Sequence, residues 1–283
     1  IGLKPFTDAA ANLFLRLEGR DPDAAPVVSG SHIDSQPNGG KFDGAFGVLA
    51  ALEAIESIAA RGQTPLRPIE VVAWMNEEGS RFSPGMAGSE AYTGAKPLEV
   101  ILNVQDTDGI SVRDAVRSIR ASDDAVPIRE LGRPIHAFIE GHIEQSDTLQ
   151  TAEKTIGVVT GIQGTRRYRV TVTGEAAHAG TALRRDRKDA LMAAARMVSA
   201  IDAATQERDD LKLTVGLFDV TPNAPSVVPE RVFFSIDVRH NDTNVVDETD
   251  EIIRALTERE RGPCAVAVDQ IARAPSLDFS PDL

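Results

Sequence analysis

The stretch SGSHIDSQPNGGKFDGAFG, residues 29–47, gathers His32, Asp34 and Asp43 in a segment too rich in glycine to be helical. Two later stretches carry related groups: the acidic pair Glu77-Glu78 in AWMNEEGSRF and His142 in FIEGHIEQ. Each alone has an ordinary explanation. A single histidine is commonly structural, an acidic pair is commonly solvated surface, and an aspartate beside glycine is a turn former. Together they supply imidazole and carboxylate, the ligand chemistry of Zn²⁺, Mn²⁺ and similar borderline ions. His32 and His142 would hold one ion, and the two oxygens of Asp43 would bridge it to a second at the ~3.5–4 Å spacing of two-metal hydrolytic sites. Adjacent side chains in extended chain point opposite ways, which divides the labour of the glutamates. Glu78 is then a ligand of the second ion, and Glu77 the general base facing the water between the ions. Asp34, two residues beyond His32 and on its side if the strand continues, orients the imidazole.

These groups need a scaffold that brings three separate segments to one place. VVSGSHI (27–33), IEVVAWM (69–75) and IHAFIEGHIEQ (135–145) read as strands, and the candidate ligands fall at their ends. Between them, Val48, Leu49, Leu52, Ile55 and Ile58 recur at helical spacing from Gly44 to Arg61, and SVRDAVRSIRAS is a polar helix. Alternating strand and helix predict an α/β layer with a mainly parallel sheet, whose ligands bind beyond the carboxyl ends of the strands. The second half has another rhythm. RRYRVTVTG (166–174), a helix over 186–205, LKLTVGLFDV (211–220), RVFFSIDVR (231–239), a helix in VVDETDEIIRALTERE and CAVAVDQIA (264–272) give the order β-α-β-β-α-β of a ferredoxin-like α+β domain. TPNAPSVVPE reads as a proline-rich turn between two of these strands. A domain boundary falls near residue 153.

The composition narrows the partners. The 283 residues carry a formal charge of −13, which argues against nucleic acid and anionic membrane, since both need a basic face. The only cysteine, Cys264, allows no intrachain disulfide and suits a reducing, cytoplasmic setting. The most apolar helical run, FGVLAALEAI, is too short to span a bilayer.

In this order, GSHIDSQPNGGKFDG, AWMNEEGSRF, MAGSEAYTG, GHIEQ and GEAAHAGT resemble the amidase/hydantoinase–carbamoylase family of binuclear metallohydrolases, of the aminoacylase/carboxypeptidase clan. That family includes N-carbamoyl-L-amino acid hydrolases, allantoate amidohydrolases and β-ureidopropionases. The resemblance implies a metal-dependent amidohydrolase that cleaves the linear amide or ureido C–N bond of an N-carbamoyl, ureido or N-acyl amino acid. It implies two divalent ions per subunit, Zn or Mn with Co or Ni as further candidates, ligated by His32, Asp43, His142 and Glu78, with Glu77 as base. It divides the chain into a catalytic domain over 1–152, a lid over 153–272 that makes a homodimer, and the start of a return to the catalytic domain over 273–283. His178 in GEAAHAGT would reach the partner subunit's site and stabilise the oxyanion, and Arg239 in SIDVR would grip the carboxylate of a small-molecule substrate. Gln145, Arg167, Asn223 and Ser226 are the remaining substrate-binding candidates. Outside the family context Arg239 is an ordinary surface arginine, His178 a loop residue, His136 a structural histidine and His240 a surface one.

The chain also departs from the family pattern. Ser226 stands where ureido-binding relatives commonly have asparagine, Ala177 precedes His178 in place of a polar residue, Leu183-Arg184 replaces Pro-Met, and Ser146 replaces glycine. Relatives begin with helices ahead of Ile1, and after the lid their chain returns to supply a further metal-ligand histidine. Asp43 and Glu78 alone leave the second ion short of protein ligands. The alternative readings are an N-acyl-amino-acid hydrolase or small peptidase of the same clan, and a truncated non-catalytic relative.

Overall fold

The computed structural model describes residues 2–122 and 125–282. The chain divides into two compact units, Ile1–Thr155 and Ile156–Leu283. No helix among the described residues is long and apolar enough to cross a membrane.

The first unit runs β1 (Lys4–Thr7), β2 (Leu13–Leu17), β3 (Val27–His32), α1 (Ala45–Ala60), β4 (Ile69–Trp74), α2 (Ala87–Thr93), α3 (Leu98–Leu102), α4 (Val112–Ser122), β5 (Ala137–Ile139) and α5 (Thr148–Thr151). Its sheet has the order β1-β2-β4-β3-β5 and is mixed. The three strands that lead to the candidate ligands, β4, β3 and β5, are parallel. The expectation of a mainly parallel sheet holds for these. β1 and β2 add an antiparallel edge that the sequence reading did not foresee. In β2, Phe14 is fully buried and packs edge-on to Trp74 of β4 at 6.0 Å.

α1 turns the face that its apolar spacing predicted toward the core, with Ile55 buried and Val48 and Leu52 packed beside it, except at Leu49. Leu49 is 64% exposed, and the buried stripe is Gly47, Ala51 and Ile55. The reason is close approach. A Cβ on Gly47 would lie 2.5 Å from the Gly141 carbonyl oxygen and 2.8 Å from Ser31 Cβ, so only glycine lets α1 settle against β3 and the segment leading to His142. Ile55 then packs against Val71, and each such fully buried side chain contributes about 1.5–3 kcal/mol.

At the other end of β4, Glu70 is fully buried and held by two arginines. Its Oε1 accepts from Arg16 Nη1 at 2.9 Å and Arg129 Nη1 at 2.8 Å, and its Oε2 from Arg129 Nη2 at 2.8 Å. Arg129 also lies 3.8 Å over the Phe14 ring. Burial alone would raise the Glu70 carboxyl, but the hydrogen bonds and charges of Arg129 and Arg16 outweigh it and hold the group below its ordinary value.

The second unit runs β6 (Gly161–Ile162), β7 (Gly164–Thr173), β8 (Ala177–His178), α6 (Ala190–Thr205), β9 (Lys212–Thr214), β10 (Phe218–Thr221), β11 (Val227–Val228), β12 (Arg231–His240), α7 (Thr243–Glu260), β13 (Ala265–Ala274) and β14 (Leu277–Asp278). The antiparallel order β10-β12-β7-β13, with both helices between strands, is the ferredoxin-like arrangement. Alternation explains it. Tyr168, Val170, Val172, Phe234, Ile236 and Val238 point to one face and pack on Met197, Ile201 and Ile253, while the intervening residues leave the other face open.

Three details differ from the sequence reading. The helix expected from 186 begins at Ala190, because Asp189 caps it by accepting from the Met192 N–H. The run 211–220 is two strands, interrupted where the Leu217 N–H turns to Ser235 Oγ. The proline-rich turn contains β11, which pairs with β8. Near the end of the chain Leu277 of β14 pairs with Ile162 of β6, and Asp278 with Gly161.

Candidate active site

β3 ends at His32, and the chain then leaves the sheet through the glycine-rich loop. His32 is 3% exposed. Gly44 adopts φ 66°, and a Cβ there would land on the imidazole ring, so glycine both allows the turn into α1 and clears room for His32. The ring's Nδ1–H donates to the Asp34 carbonyl at 2.9 Å. In the same way His142 Nδ1–H donates to the Ile143 carbonyl at 2.8 Å. Both bonds select the Nδ1–H tautomer and leave Nε2 with a free lone pair.

Those two lone pairs meet one carboxylate oxygen. Asp43 Oδ1 lies 3.5 Å from His142 Nε2 and 4.0 Å from His32 Nε2, and it is buried with no hydrogen-bond partner among the described residues. Its other oxygen accepts from Gln145 Nε2 at 2.8 Å. Glu77 Oε2 stands 3.4 Å from His32 Nε2. Glu78 turns the other way, its Oε2 and its carbonyl accepting from Gln36 Nε2 at 3.2 and 2.7 Å. The divergence expected of adjacent glutamates is present, although they lie in a turn after Asn76 (φ 50°) rather than in extended chain.

Asp34 works differently from its expected placement. The strand ends at His32, so strand parity does not carry on to it. It is the Asp34 carbonyl that receives the imidazole, with Asp34 Oδ1 3.5 Å from the same Nδ1. Its carboxylate accepts the Glu77 N–H at 3.3 Å and the Glu78 N–H at 3.1 Å. One residue therefore fixes the histidine and both glutamates.

The donor set fits divalent ions. Two ligand atoms on a tetrahedral ion at ordinary bond lengths are about 3.3 Å apart. The 3.4 and 3.5 Å contacts are close to that edge, while the 4.0 Å one must shorten; among the described residues no three such groups already stand at ligand distance. Asp34, Asp43 and Glu77 converge here, Glu78 is turned to Gln36, and among the described residues none of the four is paired with lysine or arginine. An orphaned carboxylate oxygen facing two imidazole lone pairs is a place for a cation. Burial raises the Glu77 carboxyl, a positive charge on His32 would oppose this, and Glu78, Asp34 and Glu140 push it further up.

The other expected site residues lie in the second unit, at two ends of its sheet. His178 in β8 pairs with Val227, and the Ala179 N–H donates to the Ser226 carbonyl at 3.0 Å, so His178 and Ser226 are neighbours. Asn223 (φ 52°) is on the same loop as Ser226. The Gly180 N–H donates to His178 Nδ1 at 3.1 Å, which leaves the exposed His178 with its proton on Nε2. This ribbon adjoins the Arg231 end of β12. Arg239 is at the opposite end, eight residues or about 26 Å along the strand. There Arg239 and Arg167 share one partner, Asp237, which the sequence reading did not single out. Its parity with Arg239 in SIDVR, two residues apart on one strand face, was the available signal. Gln36 was missed likewise. His240, expected at the surface, is 7% exposed: it accepts the Asp242 N–H at Nδ1 and its Nε2 lies 2.8 Å from Asp210 Oδ2.

A strand-end cluster of imidazoles and carboxylates, followed by a ferredoxin-like unit, is an arrangement of metal-dependent hydrolases. The profile of Peptidase family M20/M25/M40 matches residues 28–268. The N-carbamoyl-L-amino acid amidohydrolase of Geobacillus stearothermophilus is 40% identical over 259 residues, covering 91% of this chain and 63% of that one. The allantoate amidohydrolase of Bacillus subtilis strain 168 is 38% identical over 256 residues, covering 90% and 62%. A crystal structure of an amidase of the hydantoinase/carbamoylase family from Burkholderia multivorans superposes with a TM-score of 0.87 at 43% identity, covering 99% of this chain and 68% of that one. The chain belongs to the M20/M25/M40 peptidase family, in its hydantoinase/carbamoylase amidase branch, and members of that family typically carry two metal ions. It spans less than two thirds of the length of the two amidohydrolases.

Proposed function

We propose that this chain carries the catalytic cluster of a two-metal amidohydrolase that cleaves an N-carbamoyl or ureido group from a small amino-acid-like carboxylate. The observation that carries this reading is the buried, partnerless Asp43 Oδ1 facing the Nε2 atoms of His32 and His142. In this reading the three residues hold one ion, and Asp43 and Glu78 contribute to a second. Bound there, Zn²⁺ or Mn²⁺ would polarise the scissile carbonyl and acidify a water beside it. Glu77 accepts that water's proton and delivers it to the departing nitrogen as the carbonyl–nitrogen bond breaks. Asp34 and Gln36 keep the two glutamates apart, and Gln145 steadies Asp43.

The lid residues divide between two subunits. A small amino-acid derivative cannot touch His178 and Arg239 of one chain if they stand about 26 Å apart along β12. A two-fold dimer resolves this: Arg239 serves its own subunit, and the partner's copy of the His178 loop completes the site. The Nε2–H of His178 then donates to the oxyanion, while Arg239 binds the substrate carboxylate. Arg167, Asn223 and Ser226 contact the polar remainder. The relatives' substrates, N-carbamoyl-L-amino acids and allantoate, share a carboxylate and a carbamoyl nitrogen, which supports this class. The lone cysteine suits a cytoplasmic enzyme.

The test is turnover by the metal-reconstituted full-length protein of a panel: an N-carbamoyl-L-amino acid, allantoate, an N-acetyl amino acid and a dipeptide. Carbamoyl or ureido substrates should lead. A clear preference for the dipeptide would replace this reading with that of a peptidase.

A further inference from the structure

The open face of the second unit's sheet carries an arrangement that the proposed chemistry leaves unexplained. Arg167 on β7 stands directly opposite Asp237 on β12, and Arg239 follows two residues on, with the same parity. Arg239 Nε donates to Asp237 Oδ1 and its Nη2 to Oδ2, both at 3.1 Å, while Arg167 Nε donates to Oδ2 at 3.0 Å. A negative side chain here is unexpected beside a residue meant to hold a carboxylate. By charge alone it competes with the ligand.

The hydrogen-bond geometry resolves this. Asp237 takes the side edge of the Arg239 guanidinium, made by Nε and Nη2. The end edge, Nη1 with the second Nη2 hydrogen, has no partner among the described residues, nor have the Nη atoms of Arg167. A guanidinium presents two such edges, and each can bind a carboxylate through parallel N–H bonds. Filling one edge with Asp237 stops a long, flexible side chain from swinging. Two guanidiniums and one carboxylate also leave one net positive charge, which one ligand carboxylate neutralises. Asp237 is half-buried, and although burial opposes its ionisation, the Arg239 hydrogen bonds and the arginine charges keep its carboxyl below the ordinary value. The clamp therefore stays ionised at neutral pH.

We propose that Asp237 is a positioning residue that fixes Arg239 and Arg167 so that the free end edge of Arg239 selects substrates bearing a carboxylate. This rests on the reading of Arg239 as the carboxylate-binding residue.

The test uses the metal-loaded full-length protein in a Glu77→Gln background, so that binding is measured without turnover. The probes are N-carbamoyl-L-alanine and its carboxamide, titrated calorimetrically against Asp237, Asp237→Asn and Arg239→Ala. The clamp predicts that Asp237→Asn weakens the carboxylate probe by about tenfold or more, the scale of a small misplacement, and leaves the carboxamide within about twofold. Asp237→Glu, which retains the charge, should recover part of the loss. Unchanged or tighter carboxylate binding in Asp237→Asn overturns the proposal, because Asp237 is then a bystander or a competitor. Equal weakening of both probes also overturns it, as the effect of a merely structural residue. If Arg239→Ala keeps the preference for carboxylate over carboxamide, or the parent has none, the reading of Arg239 itself fails and the clamp fails with it.

Discussion

The backbone N–H of Glu78 donates to Asp34 Oδ2 at 3.1 Å, across 44 residues of sequence, while the same aspartate receives the Glu77 N–H on its other oxygen. The end of β3 and the turn after β4 are thus joined through one carboxylate, at the point where the candidate ligands from both must meet. Replacing Asp34 with alanine removes both acceptors and leaves two N–H groups unpaired. Metal affinity should fall about 10- to 100-fold, the usual consequence of losing a group that orients ligands. Equilibrium dialysis with elemental analysis measures it. Unaltered affinity would show that the glutamates hold their places without Asp34.

Glu77→Gln keeps size and shape but removes the proton acceptor. Turnover should drop roughly 10²- to 10⁴-fold, with metal content near that of the parent. If metal is lost instead, Glu77 is a ligand and its role has been exchanged with that of Glu78.

In the 283-residue chain the two ions should leave in order. His32, Asp43 and His142 give one ion three protein groups from this chain, while Asp43 and Glu78 give the other two. Graded chelation should pass through a species with one ion per subunit, and Glu78→Gln should start from that species. Simultaneous loss of both ions in the parent would count against unequal sites.

How far the site was legible depends on what each segment is made of. His32, Asp43, Glu77, Glu78 and His142 stood out as candidates because imidazoles and carboxylates follow β-branched, apolar runs. The ferredoxin-like order was readable because Tyr168, Val170 and Val172, and Phe234, Ile236 and Val238, alternate cleanly with polar residues. Parity failed where strands stop early. β5 covers only Ala137–Ile139, so its alternation does not extend to His142, and β3 stops before Asp34. β1 and β2 were hidden because they are short and because Arg16, inside β2, is buried through its pairing with Glu70. Pairings between distant residues, such as Gln36 with Glu78 and Asp237 with Arg167, leave no local pattern.

The Glu70 network supplies a pH-dependent prediction. Its folded value is lowered, so its stabilising contribution is present above the unfolded value of about 4.3 and is lost as pH falls through the folded one. Arg129→Met leaves Glu70 buried with Arg16 alone and should cost about 3–5 kcal/mol at neutral pH, as for other broken buried pairs. The gap between variant and parent should narrow below pH ~4.3, once Glu70 takes up a proton. Denaturant midpoints across pH 3–8 give both curves. A constant gap would mean that Arg129 acts through its packing on Phe14 rather than its charge.

The most direct measurement on the proposed active site mixes two inactive full-length variants, His178→Ala and Glu77→Gln, and lets their subunits exchange. If His178 acts across the dimer, each mixed dimer has one site with both defects and one with neither. About half of the dimers are mixed after full exchange, so activity should return to about a quarter of the parent. If His178 served its own chain, every site would keep one defect. No recovery, with exchange demonstrated by mass-tagged subunits, would contradict an active site built from the metal cluster of one subunit and the His178 loop of the other.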